Sequence, residues 1–282
     1  MEKKSNTFYT TVTVSDFKDT EYINQLLELN IGMELALLTG LPHQLNMAHY
    51  EKDLDALKKE VTEFKNLLDQ FNIPPHTVRI HQPGGYAYYW FGENEISGFD
   101  LLKDFFAYCY GLEFRNYVIH SPYGNADAEP NVELNDYRKK LNKLISEAHV
   151  EVEEISASNN ELKNKGLRFY DGTLIEKLMD GQKAKILLDV HECGGTEETI
   201  RRLKNLTSRG FEINSIHMHK DKHKFLTREE VGLLKKTFSG NLINEGFLKN
   251  EYSFDEFIKT KSINCVVPNN ERLEILKGYI KL

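Results

Sequence analysis

Apolar and polar positions follow two rhythms along this chain. Short β-rich runs recur at FYTTVTV (8–14), IGMELALL (31–38), TVRIHQP (77–83), NYVIHSP (116–122), VEVEEISAS (150–158), KILLDVHEC (185–193), INSIHMH (213–219) and NLINEGFL (241–248). Most of these eight runs are apolar on both faces, as expected for strands held between helices and a barrel interior. Between them the period lengthens. In 51–71, Leu54, Leu57, Val61, Phe64, Leu68 and Phe71 recur at steps of three and four, which predicts an amphipathic helix. TREE (227–230) is a capping box: Thr227 can cap the amide of Glu230, whose carboxylate can reach back, starting a helix that runs to about residue 238. SFDE (253–256) repeats the device, and NNERLEILKGYIKL (269–282) reads as an extra helix packed on the outside.

Eight strands, each followed by a helix, predict an α/β fold: a closed parallel (β/α)8 TIM barrel, with 1–282 as a single domain and an extra C-terminal helix. The competing arrangement is an open doubly wound sheet. That fold more usually carries a Gly-rich first turn, and VSDFKD is not one. No linker, internal repeat or low-complexity segment divides the chain.

Composition narrows the function classes. The 282 residues suit one barrel of roughly 250 residues, and 40% hydrophobic content supports a sizeable core. A net charge of -7 argues against a phosphate-backbone binder, and so against nucleic acid as partner. Cys109, Cys193 and Cys265 lie far apart without metal-ligand spacing, the pattern of a reduced cytoplasmic protein with structural thiols. The N-terminus lacks the apolar run of a signal peptide, and no stretch approaches a membrane span. The expected partner is therefore a small-molecule substrate, and a homo-oligomer is compatible with everything above.

Position makes the polar residues informative. Six of the eight strands carry His, Asp or Glu near the C-terminal end: His81, His120, Glu154, Asp189 with His191, His217 with His219, and Glu245. Alternation puts Asp189 and His191 on one strand face, and likewise His217 and His219. In a barrel these ends converge on the active-site mouth. Imidazoles and carboxylates suit a divalent metal ion such as Mn, Zn, Co or Fe, and clustered acids repel unless a cation joins them. Either His217 or His219 is the strand-seven ligand. Asp221, Lys222 and His223 fall in the loop beyond, where Lys222 and His223 are expected to be solvated.

Other signals are secondary. Gly84–Gly85 and Gly194–Gly195 read as turns, the second preceding a helix N-terminus that would favour an anion. The aromatic run YAYYWFG (86–92) would lie over the mouth as a lid or a stacking surface. Arg79 is expected to pair with Glu34 across adjacent strands.

These residues in this order resemble the xylose isomerase-like barrel superfamily, which includes sugar epimerases and isomerases and the endonuclease IV group. The resemblance covers nearly the whole chain. It implies one divalent metal held by Glu154, Asp189, His217 or His219, and Glu245, at intervals of 35, then 28 or 30, then 28 or 26 residues. Two departures stand out: D-V-H at 189–191 where the family often has D-x-x-H, and Asp221 placed four residues after His217 where it often has H-x-x-D. The resemblance further implies an isomerase or epimerase of a small sugar or related hydroxy-carbonyl compound, with Glu154 and Glu245 exchanging a carbon-bound proton and His81, His120 and His191 facing the substrate. An endonuclease IV-like phosphodiester hydrolase is the second expectation. His81, His120 and D-K-H (221–223) echo its extra ligands, but its late G-E-G element is missing. A non-catalytic barrel is the third.

Overall fold

The computed structural model describes residues 6–37, 54–81, 98–120, 124–125, 130–145, 149–154, 167–168, 179–221, 223–260 and 262–282. The Gly84–Gly85 pair, the aromatic run 86–92 and Lys222 lie outside the described residues, as does the Glu154 side chain. Eight parallel strands close into a barrel: β1 (Thr7–Val12), β2 (Gly32–Leu35), β3 (Arg79–His81), β4 (Asn116–His120), β5 (His149–Glu154), β6 (Lys185–Asp189), β7 (Ile213–Met218) and β8 (Asn241–Asn244). Closure is by β1 pairing with β8, Tyr9 beside Ile243. The open-sheet alternative is thereby excluded. Among the described residues, β1 stops at Val12, β6 at Asp189 and β8 at Asn244, each before the end of the apolar run that announced it.

The helices pack outside. In α2 (Leu54–Gln70) the positions with helical spacing, Leu57, Val61, Phe64 and Leu68, are all buried. Each such side chain contributes ~1.5–3 kcal/mol on leaving water. Helix α6 (Arg228–Thr237) starts on the complete Thr227–Glu230 capping box. At α7 (Phe254–Thr260) the Glu256 amide donates to Ser253 Oγ over 3.1 Å. The extra helix is α8 (Asn269–Ile280); its buried Arg272 reaches Asp16 Oδ1 (3.0 Å) and the Thr11 carbonyl (2.8 Å), tying it to the loop after β1. Among the described helices none is long and apolar enough to cross a membrane.

Two cores result. The larger fills the space between strands and helices. Inside the barrel, Val118, Leu187 and Ile243 form a separate cluster with Tyr9 against it. Strand alternation stacks the interior in layers from alternate strands. Tyr9, Arg79, Glu151 and Ser215 make the lower layer: Arg79 lies 5.6 Å from the Tyr9 ring, and its Nη1 donates to Glu151 Oε1 (2.6 Å) and Ser215 Oγ (3.2 Å). Glu34 joins the apolar trio in the next layer and accepts from Arg79 Nε at 2.8 Å, which is the expected cross-strand pair. The Tyr9 ring fits because its β2 neighbour is Gly32, where a Cβ would come within 2.4 Å of the ring.

Candidate metal centre

Two residues above this inner cluster, the same alternation lifts polar side chains to the mouth. Asp189 follows Leu187, His120 follows Val118 and Glu245 follows Ile243. His217 sits beside Asp189 and Ile243 in register. The cluster is tight. His219 Nε2 lies 2.8 Å from Asp189 Oδ2 and 3.4 Å from Glu245 Oε2. His217 Nδ1 lies 3.4 Å from Glu245 Oε1 and 4.0 Å from Asp189 Oδ2, while its Nε2 lies 3.0 Å from Glu34 Oε1. His81 joins through its ring, 5.6 Å from that of His217 and 4.9 Å from that of His120. His191 lies on the other side, 5.4 Å from His219. The expected site residues with described side chains thus come together.

Two expectations need correction. His191 does not share a strand face with Asp189, because β6 ends at Asp189. Asp189 Oδ1 accepts the Glu192 amide (2.8 Å) and the Cys193 amide reaches the Asp189 carbonyl (2.9 Å), so the chain turns there and His191 arrives by the turn. The Gly194 and Gly195 amides in the same turn donate to the His191 and Val190 carbonyls (3.0 and 2.8 Å), so this pair forms the turn expected of it. His223 is not solvated. Positive φ at Asp221 (44°) and His223 (74°) folds the loop back, and the ring stacks on His219 (4.7 Å) and Phe247 (5.1 Å). Burial pushes its pKa well below the usual imidazole value, which keeps it neutral.

Strand five carries two acids, Glu153 and Glu154, whose side chains lie outside the described residues. In register, Glu153 stands beside His120 and Leu187, both interior positions, and Glu154 beside Leu188, a member of the outer core. Glu153 therefore holds the same register as Glu151, whose carboxylate meets Arg79 inside the barrel. The sequence reading passed over Glu153; the parity of Glu151 was the signal available.

Electrostatics favour a cation here. Among the described residues, the interior holds four carboxylates (Glu34, Glu151, Asp189, Glu245) against one guanidinium (Arg79). Asp189 Oδ2 and Glu34 Oε1 are buried and meet their imidazole neighbours off the hydrogen-bonding axis. Ligand atoms about 2.0–2.2 Å from one ion stand roughly 3.0–3.5 Å from each other, which matches several of the separations above. Single ligand atoms of Glu34, His81, His217 and Glu245 all lie within 4.8 Å of one another, as do those of His219, His223 and Glu245. The donor set fits a divalent ion.

Local fields set the proton positions. Burial raises the Glu34 carboxyl, but His217 and Arg79 outweigh it and hold it at about 2. Burial lowers His219, but Asp189 and Glu245 push it up to about 9. The His223 amide opposes double protonation by donating to His219 Nδ1 over 3.0 Å. That bond leaves Nε2 as the nitrogen that faces Asp189 and Glu245.

Structural relatives agree with this architecture. A xylose isomerase-domain protein from Salmonella typhimurium LT2 superposes with a TM-score of 0.55 at 12% identity, covering 100% of this chain and 98% of its own. Endonuclease IV from Thermus thermophilus gives 0.55 at 13% identity, with 97% and 99% covered. The IolI protein with a bound zinc atom gives 0.52 at 12% identity, with 96% of both chains covered. No protein-family model matches the sequence, and no curated protein matches it. The chain has the fold of the xylose isomerase-like TIM barrels.

Proposed function

We propose that this protein is a metal-dependent isomerase or epimerase of a small sugar or related hydroxy-carbonyl compound. The observation that carries the reading is the convergence of Asp189, His217, His219 and Glu245 in one buried, negatively balanced cluster at the C-terminal mouth. Asp189, Glu245, His217 or His219, and a strand-five glutamate, Glu154 in the sequence reading, would hold the ion. A divalent Mn, Zn, Co or Fe ion there would polarise a substrate carbonyl and make the neighbouring C–H more acidic.

The chain's own groups then move the proton. The Glu245 carboxylate takes it from carbon or returns it, and the strand-five glutamate does the same from the opposite side of the substrate. His219 Nε2–H faces both Asp189 and Glu245 and limits how their carboxylates turn. His81, His120 and His191 offer ring nitrogens to substrate hydroxyls.

Incubation of the metal-loaded protein with a ketose panel in heavy water tests this. Deuterium should appear next to the carbonyl, and Glu245→Gln should slow exchange roughly 10²–10⁴-fold with metal content measured in the same variant. A panel without exchange would sink the reading.

One observation favours a second reading. The two ligand groups share Glu245 and place His223 beside His219, which would suit more than one ion and hence a phosphodiester hydrolase. Cleavage of abasic DNA with two or more metals per chain would establish it over the isomerase.

A further inference from the structure

The ligand set above takes nothing from β2, yet Glu34 on that strand brings a carboxylate to the centre from the layer beneath. Its side chain is fully buried. One oxygen is committed: Oε2 accepts from Arg79 Nε over 2.8 Å. Arg79 is held in turn by Glu151 Oε1 (2.6 Å) and Ser215 Oγ (3.2 Å), and Asn214 Nδ2 donates to the same Glu151 oxygen over 2.7 Å. With Oε2 pinned from below by this chain, the direction of Oε1 is set before any ligand arrives.

Oε1 is buried and accepts no hydrogen bond. His217 Nε2 stands 3.0 Å away, but the two atoms are not aligned for a hydrogen bond. Arg79 reaches Oε2 and not Oε1. It also faces a second carboxylate, Glu151, so one guanidinium cannot neutralise the pair. An anionic oxygen sealed from water without a donor is costly, and a cation beside it removes that cost. The spacing suits one. Atoms about 2.0–2.2 Å from a single metal ion stand roughly 3.0–3.5 Å from each other, close together without bonding. Single ligand atoms of Glu34, His81, His217 and Glu245 lie within 4.8 Å of one another, so small side-chain rotations bring them onto one ion.

We propose that Glu34 is a direct ligand of the divalent ion, binding through Oε1 beside Glu245 and a strand-seven histidine. This rests on the metal-centre reading above in needing a resident ion, but on no particular reaction. It adds a donor from β2 to those from β5–β8, and it divides the carboxylate: Oε2 balances Arg79, while Oε1 carries charge to the metal. A further carboxylate also shifts the donor set toward oxygen, which favours a harder ion such as manganese relative to zinc.

The test has two arms. A crystal structure of the zinc-loaded full chain, with the ion located by anomalous scattering, should place zinc about 2.0–2.2 Å from Glu34 Oε1. In solution, the metal-free chain is titrated with zinc and with manganese against a chelator. Glu34→Gln keeps an oxygen for Arg79 but offers no anionic donor to the ion. Its zinc affinity should fall at least about tenfold, the least expected even of a lost outer carboxylate, and its manganese affinity should fall further. Zinc seated among Asp189, Glu245 and His219, with Glu34 Oε1 more than about 3 Å away and so outside ligand distance, overturns the proposal and leaves the metal reading intact. So does a folded Glu34→Gln with a smaller loss, or with equal losses for the two ions. If Glu34→Gln does not fold, the zinc-loaded wild-type structure decides alone. A protein that binds neither ion overturns the proposal and the metal reading together. An ion bound at Glu34 without proton exchange on any ketose upholds the proposal and sinks only the reaction.

Discussion

His219 Nε2 stands 2.8 Å from Asp189 Oδ2, although 30 residues separate the two in sequence. Asp189 does two things at once. Oδ1 closes the turn after β6 by accepting the Glu192 amide, and Oδ2 faces the centre. Removing the whole carboxylate would therefore loosen the turn as well as the site.

Asp189→Asn separates these effects. The amide oxygen can still accept from Glu192, so the thermal midpoint should move by only a few degrees, in line with a loss of about 1 kcal/mol. Metal content after loading with zinc and desalting should drop from at least one ion per chain to a small fraction. Full retention in the variant would show that Asp189 is not a ligand.

Strand five offers a comparison of neighbours. Register puts Glu153 with the interior positions and Glu154 with the outer ones. Glu153→Gln should reduce zinc affinity and proton exchange by at least about tenfold, the scale of a lost ligand or base, with Glu154→Gln close to wild type. The reverse ranking would support Glu154 as the ligand and require a local departure from the strand's alternation.

Gly32→Ala should destabilise the barrel from within. The added methyl would come within 2.4 Å of the Tyr9 ring, which also packs against Arg79. Overpacking of this kind costs about 1–3 kcal/mol. Combining it with Tyr9→Leu should restore part of the loss in denaturant melts. A single variant as stable as wild type would mean that the lower layer yields easily.

The capping box of α6 gives a pH-dependent test. Thr227→Ala should cost about 1 kcal/mol at neutral pH. Burial raises the Glu230 carboxyl, but bonds to Thr227 and Lys220 outweigh it and leave the pKa below its usual 4.5. Its stabilisation is thus complete above pH 4.5 and fades as the pH falls through the lowered folded value. The advantage of wild type over Glu230→Ala in thermal midpoint should shrink from pH 6 to pH 3. An advantage independent of pH would mean that the carboxylate's charge is irrelevant to the cap.

Much of this molecule is written locally. Leu57, Val61, Phe64 and Leu68 announce α2 because a helix face is a repeat of sequence spacing. Thr227 and Glu230 announce α6 because a cap closes within four residues. His81, His120, Asp189, His217 and Glu245 could be placed at the mouth because each ends an apolar run, and a parallel barrel gathers such ends on one rim.

Tertiary structure decided what these residues meet. Glu34 was visible as an acid inside IGMELALL, and its pairing with Arg79 follows from adjacent strands. Its contact with His217 crosses the barrel interior between strands that do not pair, and depends on tilt and stagger that local spacing does not encode. His223 turned inward through positive φ at Asp221 and His223, a conformation that Asp and His adopt more often than most residues but still rarely, so local sequence does not announce it. The choice between His217 and His219 rests on which ring atom faces which neighbour. Strand periodicity puts both histidines on one face; only the packed surroundings distinguish their nitrogens.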